Sequence, residues 1–225
     1  MFPTTCIDKF YNNPLSVVNL ASSLEYFDTH GSYPGKRTKP LHLVSEEFFN
    51  VFTEKLFSVF FDYEKYRVDY KVITCFQKII PFTNKKDDIL NSGWIHRDNG
   101  IVGAGVIYLN ENSFTKSGTS FYTLNNSNDI SIDIDWSLRN NFYLGKNEDI
   151  EKYKSEKIKY ESLFEKNLEV GNVFNRLVLY DSNIWHKESS FWNEDNVPRI
   201  TQVFFIMDLK TNQKFPLDKI KLFDL

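Results

Sequence analysis

Two cysteines, Cys6 and Cys75, allow at most one disulfide in 225 residues. The chain is therefore no cysteine-stapled secreted scaffold, and both thiols are read as reduced packing residues. No stretch approaches the roughly 18 apolar residues that a membrane helix needs. The opening "MFPTTCIDKFYNN" lacks a basic segment followed by a long apolar run. That argues against a signal peptide and for a soluble, cytoplasmic protein. An excess of charge is missing too: 27 Lys+Arg stand against 30 Asp+Glu, a formal net charge of −3. Such a balance gives no whole-chain attraction to nucleic acid or to an anionic membrane. No internal repeat is visible. Histidine is scarce, with four in the chain, so the place of each one carries weight.

Aromatic residues are plentiful: 21 Phe, 12 Tyr and 4 Trp. They suit a sheet-rich fold, because flat side chains fit pleated, half-buried surfaces. Helices come first. "PLSVVNLASSLEYF" (14–27) carries Val17, Leu20, Ala21, Leu24 and Phe27 at helical spacing, and the turn-rich "GSYPGKRTKP" ends it. "SEEFFNVFTEKLFSVFF" (45–61) opens on Ser45 as a cap, and its stripe of Phe48, Phe49, Phe52, Leu56 and Phe60 predicts packing against a sheet. From about residue 67 the pattern turns β-branched and aromatic. "YRVDYKVITCFQKIIPF" reads as one or two strands, followed by "WIHRD", "GAGVIYLN", "TSFYTL", "NVFNRLVLYD" and "PRITQVFFIMDL". "EDIEKYKSEKIKYESLFEKN" (148–167) reads as a solvated, charged helix. The expectation is one mostly-β (α+β) domain over 1–225. Within it, 1–65 is helical support, 66–124 and 172–208 hold the strands, 125–171 is an insertion, and 209–225 is a tail that covers a sheet edge.

In "GWIHRDNG" (93–100), His96 and Asp98 share one face of an extended segment while Arg97 points the other way. Two such side chains stand ~7 Å apart along a strand and can grip one ion if the strand curves. His-x-Asp alone is a weak signal, and a third ligand has to come from elsewhere. "LYDSNIWHKESS" offers His186. Two His and one carboxylate make the facial triad of non-haem iron(II) oxygenases, which leaves coordination positions open. Arg199 opens the strand "RITQVFFI" with Thr201 on the same face, so a guanidinium and a hydroxyl could bind one carboxylate together.

The series "WIHRDNG…GVIYLNE…SGTSFY…LVLYDSNIWHKES…RITQVFF" resembles the iron(II)/2-oxoglutarate-dependent dioxygenases. It is most similar to their prolyl 4-hydroxylase-like branch, and within it to an uncharacterised group of bacterial and phage proteins. The resemblance runs from about 70 to 207 and touches "DKFYNNPLSVVNLA" and "YPGKRT". It implies a double-stranded β-helix (jelly roll) with N-terminal helices on the major sheet. It also implies His96, Asp98 and His186 as the iron(II) ligands at the catalytic centre, O2 as oxidant, and Arg199 with Thr201 on the distal carboxylate of 2-oxoglutarate. Gln77 lies on a strand that lines the cosubstrate pocket in that family.

Two departures matter. Prolyl 4-hydroxylases usually carry Lys where Arg199 stands, and an acid where this chain reads "SGTSF" (117–121), so proline as substrate does not follow. Members that halogenate lack the carboxylate that this chain keeps at Asp98, which favours hydroxylation. The substrate class stays open between a peptide or protein and a small molecule. Tyr108 either reaches the cosubstrate or fills the barrel. Trp136, Arg139 and Phe142 either close over substrate or belong to a surface excursion with its own apolar cluster. Two other functions fit a jelly roll: a cupin-like metal enzyme that uses no 2-oxoglutarate, and a binding module with a degenerate site. "KYKSEKIKYESLFEK" alternates Lys with Glu, so no basic stripe for nucleic acid is expected.

Overall fold

The apolar runs after residue 67 pair into an antiparallel sheet whose two longest members are β4 (Val68–Ile79) and β10 (Arg199–Thr211). The computed structural model describes residues 2–125, 136–146 and 149–220. Beside β10 lie β5 (Gly103–Tyr108) and β8 (Leu177–Asp181), whose residues are buried throughout because both sheet faces are covered. Three short strands complete the sheet: β1 (Thr5–Ile7), β2 (Phe27–Asp28) and β3 (Lys36–Arg37). The order is β1-β8-β5-β10-β4-β3-β2. A second sheet has the order β7-β6-β9, from β7 (Phe164–Val170), β6 (Thr119–Leu124) and β9 (Trp185–Glu188). Together they form the expected jelly roll.

On one face of the large sheet sit α1 (Pro14–Ser23) and α2 (Glu46–Ser58). Ser45 caps α2 by accepting from the Phe48 amide, and Asn13 caps α1 in the same way from Ser16. Phe52, Leu56 and Phe57 of α2 are sealed against Phe76 and Phe204 of the sheet. Each such aromatic contributes about 1.5–3 kcal/mol by leaving water. The other face packs Cys75, Val106, Val178 and Val203 against Phe121 and Val170 of the small sheet. Along β10 the faces alternate as far as Ile206, where a bulge shifts the register. Gln202 and Phe204 face the helices, where Gln202 bonds the Tyr11 hydroxyl at 2.5 Å, while Arg199, Val203 and Phe205 face the interior cavity.

Several expectations need correction. The first helix stops at Ser23, so Leu24 lies past it and Phe27 is an exposed residue of β2. α2 ends at Ser58, so Phe60 packs on the core from just beyond it, and the unpredicted Phe57 joins the buried stripe. Cys6 is exposed, whereas Cys75 is buried; both are free. The insertion is shorter than its pattern suggests, because Phe164–Val170 is a strand whose intervening residues are exposed. A sheet-edge strand keeps charged side chains outward and so hides its period. The rest of the insertion holds α3 (Trp136–Tyr143) and α4 (Ile150–Glu161); its residues 126–135 and 147–148 lie outside the described part. In the tail, Phe215 precedes α5 (Pro216–Ile220) and packs on Phe2 and Phe61.

α4 is not a solvated helix. Tyr153, Lys157 and Tyr160 make one buried face, and its partner is the segment that leads into His96. The Tyr153 hydroxyl accepts from the Trp94 indole at 2.8 Å, and the Tyr160 hydroxyl donates to the Ile95 carbonyl at 2.7 Å. Lys157 donates to the carbonyls of Ile89 (2.9 Å) and Ser92 (2.6 Å) and contacts the Ser92 hydroxyl at 2.9 Å. Burial pulls the Lys157 ammonium down to about 7. The unfolded chain thus binds this proton more readily than the folded one, so Lys157 makes stability rise with pH from about 7 up to the ordinary lysine range. Lys157→Met should lower stability by about 2–4 kcal/mol near neutral pH, because buried carbonyls lose their donor. It should also flatten that rise. Urea unfolding of both proteins at neutral and alkaline pH measures both effects.

Candidate metal centre and cosubstrate pocket

His96 belongs to no regular strand. It pairs with His186 of β9 as one isolated antiparallel bridge, each amide donating to the other's carbonyl at 2.9 Å. That pairing sets the imidazoles side by side, with ring centroids 4.4 Å apart. The Asp98 amide donates to the Ser182 carbonyl at 3.0 Å, which brings the carboxylate to the same place. Its Oδ1 lies 3.8 Å from His96 Nε2, and its Oδ2 lies 3.4 Å from His186 Nε2. One ligand atom from each of the three falls within 4.8 Å of the others.

The second ring nitrogen of each histidine is spoken for. His96 Nδ1 lies 2.8 Å from the Trp94 carbonyl, and His186 Nδ1 lies 2.9 Å from the Ile184 carbonyl. A carbonyl can only accept, so each Nδ1 donates there, and each Nε2 is left turned toward Asp98. Burial, helped by the neighbouring His96, pushes His186 down to about 4, so it is neutral at ordinary pH. Tyr180 packs on His186 at 4.3 Å between ring centroids. This donor set, two imidazoles and one carboxylate on one side of the ion position, suits a divalent transition metal with open positions. The backbone bonds to Nδ1 are the support that orients such ligands.

The triad borders a cavity of about 450 Å³. Arg199 lines it and is 3% exposed. Its Nε donates to the Ser117 carbonyl at 2.8 Å, and its guanidinium sits 5.5 Å from the Tyr108 ring centroid. No other hydrogen bond of Arg199 occurs among the described residues, so its terminal nitrogens remain for a ligand. Beside it, the fully buried Thr201 hydroxyl has no partner among the described residues. Buried polar groups are rarely left so. A carboxylate between Arg199 and Thr201 would satisfy both, which is the fit that a 2-oxo diacid requires.

The remaining predicted residues separate. Gln77 borders the cavity, but its amide donates to the Pro34 carbonyl at 2.7 Å and accepts from Arg37 at 3.3 Å. Tyr108 is wholly buried, its hydroxyl 2.8 Å from that of Thr119, which borders the cavity. Trp136 and Arg139 both line the cavity from α3, the guanidinium 4.4 Å above the indole. Phe142 turns away into the α3–α4 cluster, stacked on Tyr153 at 4.1 Å, and belongs to the core rather than to a lid. Glu188 was missed, although it follows His186 by two on the same strand face and lines the cavity. Burial pushes its carboxyl up, but His96, Arg199, its own backbone amide and His186 in sum hold it below the usual range. Also missed were Tyr33 and Arg37 of "YPGKRT", which the fold carries to the cavity wall.

A family model described as "Family of unknown function (DUF6445)" matches residues 2–195, and the chain belongs to that family. No curated protein matches. Among solved structures, the non-heme alpha-ketoglutarate-dependent epimerase SnoN from nogalamycin biosynthesis is 13% identical with a TM-score of 0.50, covering 92% of this chain and 79% of its own. HygX from Streptomyces hygroscopicus, with nickel, 2-oxoglutarate and hygromycin B bound, is 10% identical with a TM-score of 0.52, covering 90% and 82%. A prolyl hydroxylase from Trichoplax adhaerens, bound to a hypoxia-inducible-factor peptide, is 12% identical with a TM-score of 0.49, covering 99% and 87%. At these identities the likeness is one of fold: the chain has the jelly roll of the iron and 2-oxoglutarate oxygenases. Among the described residues no helix is long and apolar enough to cross a membrane.

Proposed function

We propose that this member of the DUF6445 family is an iron(II)- and 2-oxoglutarate-dependent oxygenase that hydroxylates a peptide, protein or small-molecule substrate. The observation that supports this most directly is the convergence of two Nε2 atoms on the Asp98 carboxylate, each ring pinned by an Nδ1–H bond to backbone. In this reading His96, Asp98 and His186 hold iron(II), and Arg199 with Thr201 holds the distal carboxylate of 2-oxoglutarate. When bound, the two supply O2-activating chemistry, and the cosubstrate leaves as succinate and carbon dioxide.

The chain's own residues provide charge, position and dryness. Asp98 offsets only part of a dication's charge, so the centre still favours a second anionic donor. The Ser117 carbonyl aims the Arg199 guanidinium along the cavity. In that buried position its attraction for a carboxylate is far stronger than in water. Tyr180 and Trp94 close the triad's flanks. Tyr108 shapes the pocket from behind, and Gln77 braces its far wall. Trp136 and Arg139 border the space that a diacid alone would not fill, and they are the substrate-facing residues of this reading.

The test begins with protein purified without oxygen. It should take up an equivalent of iron(II), bind 2-oxoglutarate only with metal present, and form succinate when O2 is admitted. Metal uptake without 2-oxoglutarate binding would point to a metal enzyme of another kind. Neither metal uptake nor turnover would leave a binding module on this fold.

A further inference from the structure

The cavity has a second cationic pole that neither metal nor cosubstrate accounts for. Arg37 of β3 stands opposite Gln77, Gln77 opposite Thr201, and Thr201 opposite Tyr108, so the four form one row across the sheet. Two strand spacings, ~10 Å, separate the backbone of Arg37 from that of Thr201. The Arg37 guanidinium lies 3.8 Å from the Tyr33 ring centroid and 5.5 Å from that of Phe205. Phe205 is six residues beyond Arg199 on β10, ~20 Å along the strand. Arg37 therefore points away from Arg199, and one short diacid cannot engage both while also reaching the metal.

Arg37 is also short of partners. Its one hydrogen bond among the described residues goes to Gln77, and its Nε is buried with none. A solvated surface arginine would have water at that nitrogen, so a buried donor left open on a cavity wall calls for an acceptor. No carboxylate supplies it. The cavity is lined by Arg37, Arg97, Arg139 and Arg199 with Lys187, against Asp98 and Glu188 alone. Lys187 is paired with Glu161 at 2.7 Å, and none of the four arginines has an ion pair among the described residues. Tyr33 and Phe205 flank the open donor with flat apolar faces.

From this geometry we infer that the substrate carries an oxyanion, carboxylate or phosphate, which Arg37 binds while the adjoining carbon skeleton lies on Tyr33 and Phe205. Gln77 is a positioning residue here: its amide bridges the Pro34 carbonyl and the guanidinium. The inference rests on the oxygenase reading only for the word substrate; the anion site stands on its own residues.

Matched probes test it: 3-phenylpropionate, phenyl phosphate and the neutral 3-phenylpropionamide, titrated into protein loaded with manganese(II) and 2-oxoglutarate. Proton relaxation by the paramagnetic ion reports binding near the metal. At least one acid should bind ten times or more tighter than the amide, and the stronger of the two acids identifies the anion class. Arg37→Gln should remove the preference while 2-oxoglutarate affinity moves less than twofold. Arg37→Lys, which keeps the charge but not the fork, should restore part of it, and melting temperatures check that both variants fold. Equal binding of acids and amide, no binding of either acid, or an undiminished preference in Arg37→Gln overturns the proposal. So does a parallel loss of 2-oxoglutarate, which would assign Arg37 to the cosubstrate. The titration is repeated on metal-free protein, followed by ligand line widths. If manganese and 2-oxoglutarate do not bind but the acids are still preferred through Arg37, the oxygenase reading has failed and the anion site has not.

Discussion

Asp98→Ala should reduce iron(II) affinity by at least about 100-fold, more than the 10–100-fold that loss of a supporting contact costs at metal sites. Succinate formation should fall below detection. The reason is electrostatic as much as geometric. Among the described residues, Asp98 is the one negative group whose oxygens face both Nε2 atoms, at 3.8 and 3.4 Å. Without it a dication would meet two imidazoles in a cavity otherwise dominated by arginine. Glu188 does not replace it, since among the described residues the cluster of mutually close ligand atoms comprises His96, Asp98 and His186 only. Anaerobic titration with manganese(II), read by electron paramagnetic resonance, measures the loss. The metal-free variant should melt within a few degrees of the parent, because the His96–His186 backbone bridge persists. Metal binding that survives the substitution would remove the basis for placing iron at these three residues.

Arg199→Gln should raise the Kd for 2-oxoglutarate by about 100-fold, within the 2–5 kcal/mol typical of deleting one partner of a desolvated charge pair. Metal affinity should hardly move. Glutamine keeps a donor for the Ser117 carbonyl, so the loss reports the guanidinium rather than a collapsed wall. Arg199→Lys should fall between, because an ammonium retains charge but not the planar pair of donors that fits a carboxylate. Calorimetry with manganese-loaded protein separates the two constants. If Arg199→Gln binds 2-oxoglutarate normally, the site is that of a metal enzyme that uses some other small molecule.

Much of this centre was legible in the chain. His-x-Asp, a distant His, and Arg-x-Thr at the start of a strand are local patterns, and β periodicity alone places Arg199 and Thr201 on one face. Thr201 then appears as a buried hydroxyl lacking a partner, the kind of vacancy a carboxylate would fill. Glu188 was also within reach, being two residues past His186 on the same strand. Lys157 was not. Its neighbours "KSEKIKY" alternate charges as a solvated helix does, and only burial against Ile89 and Ser92 gives it a different role. The same holds for β7, where a charged edge strand looks like the end of a helix.

By itself, then, the order of residues determined the fold class, the two apolar faces of the large sheet, and which side chains could become ligands, because these depend on period and on residue type. Three things were decided only in three dimensions. The His96–His186 bridge brings residues far apart in sequence within one ion's reach. α4 clamps the irregular segment that leads into His96. β3 carries Arg37 to the cavity wall, at the other end of the row that finishes in Tyr108. The physical reason is common to all three: contacts between remote segments, and the loss of water around them, set the protonation of a ring, the worth of a charge and the need of a donor, and no local pattern encodes them.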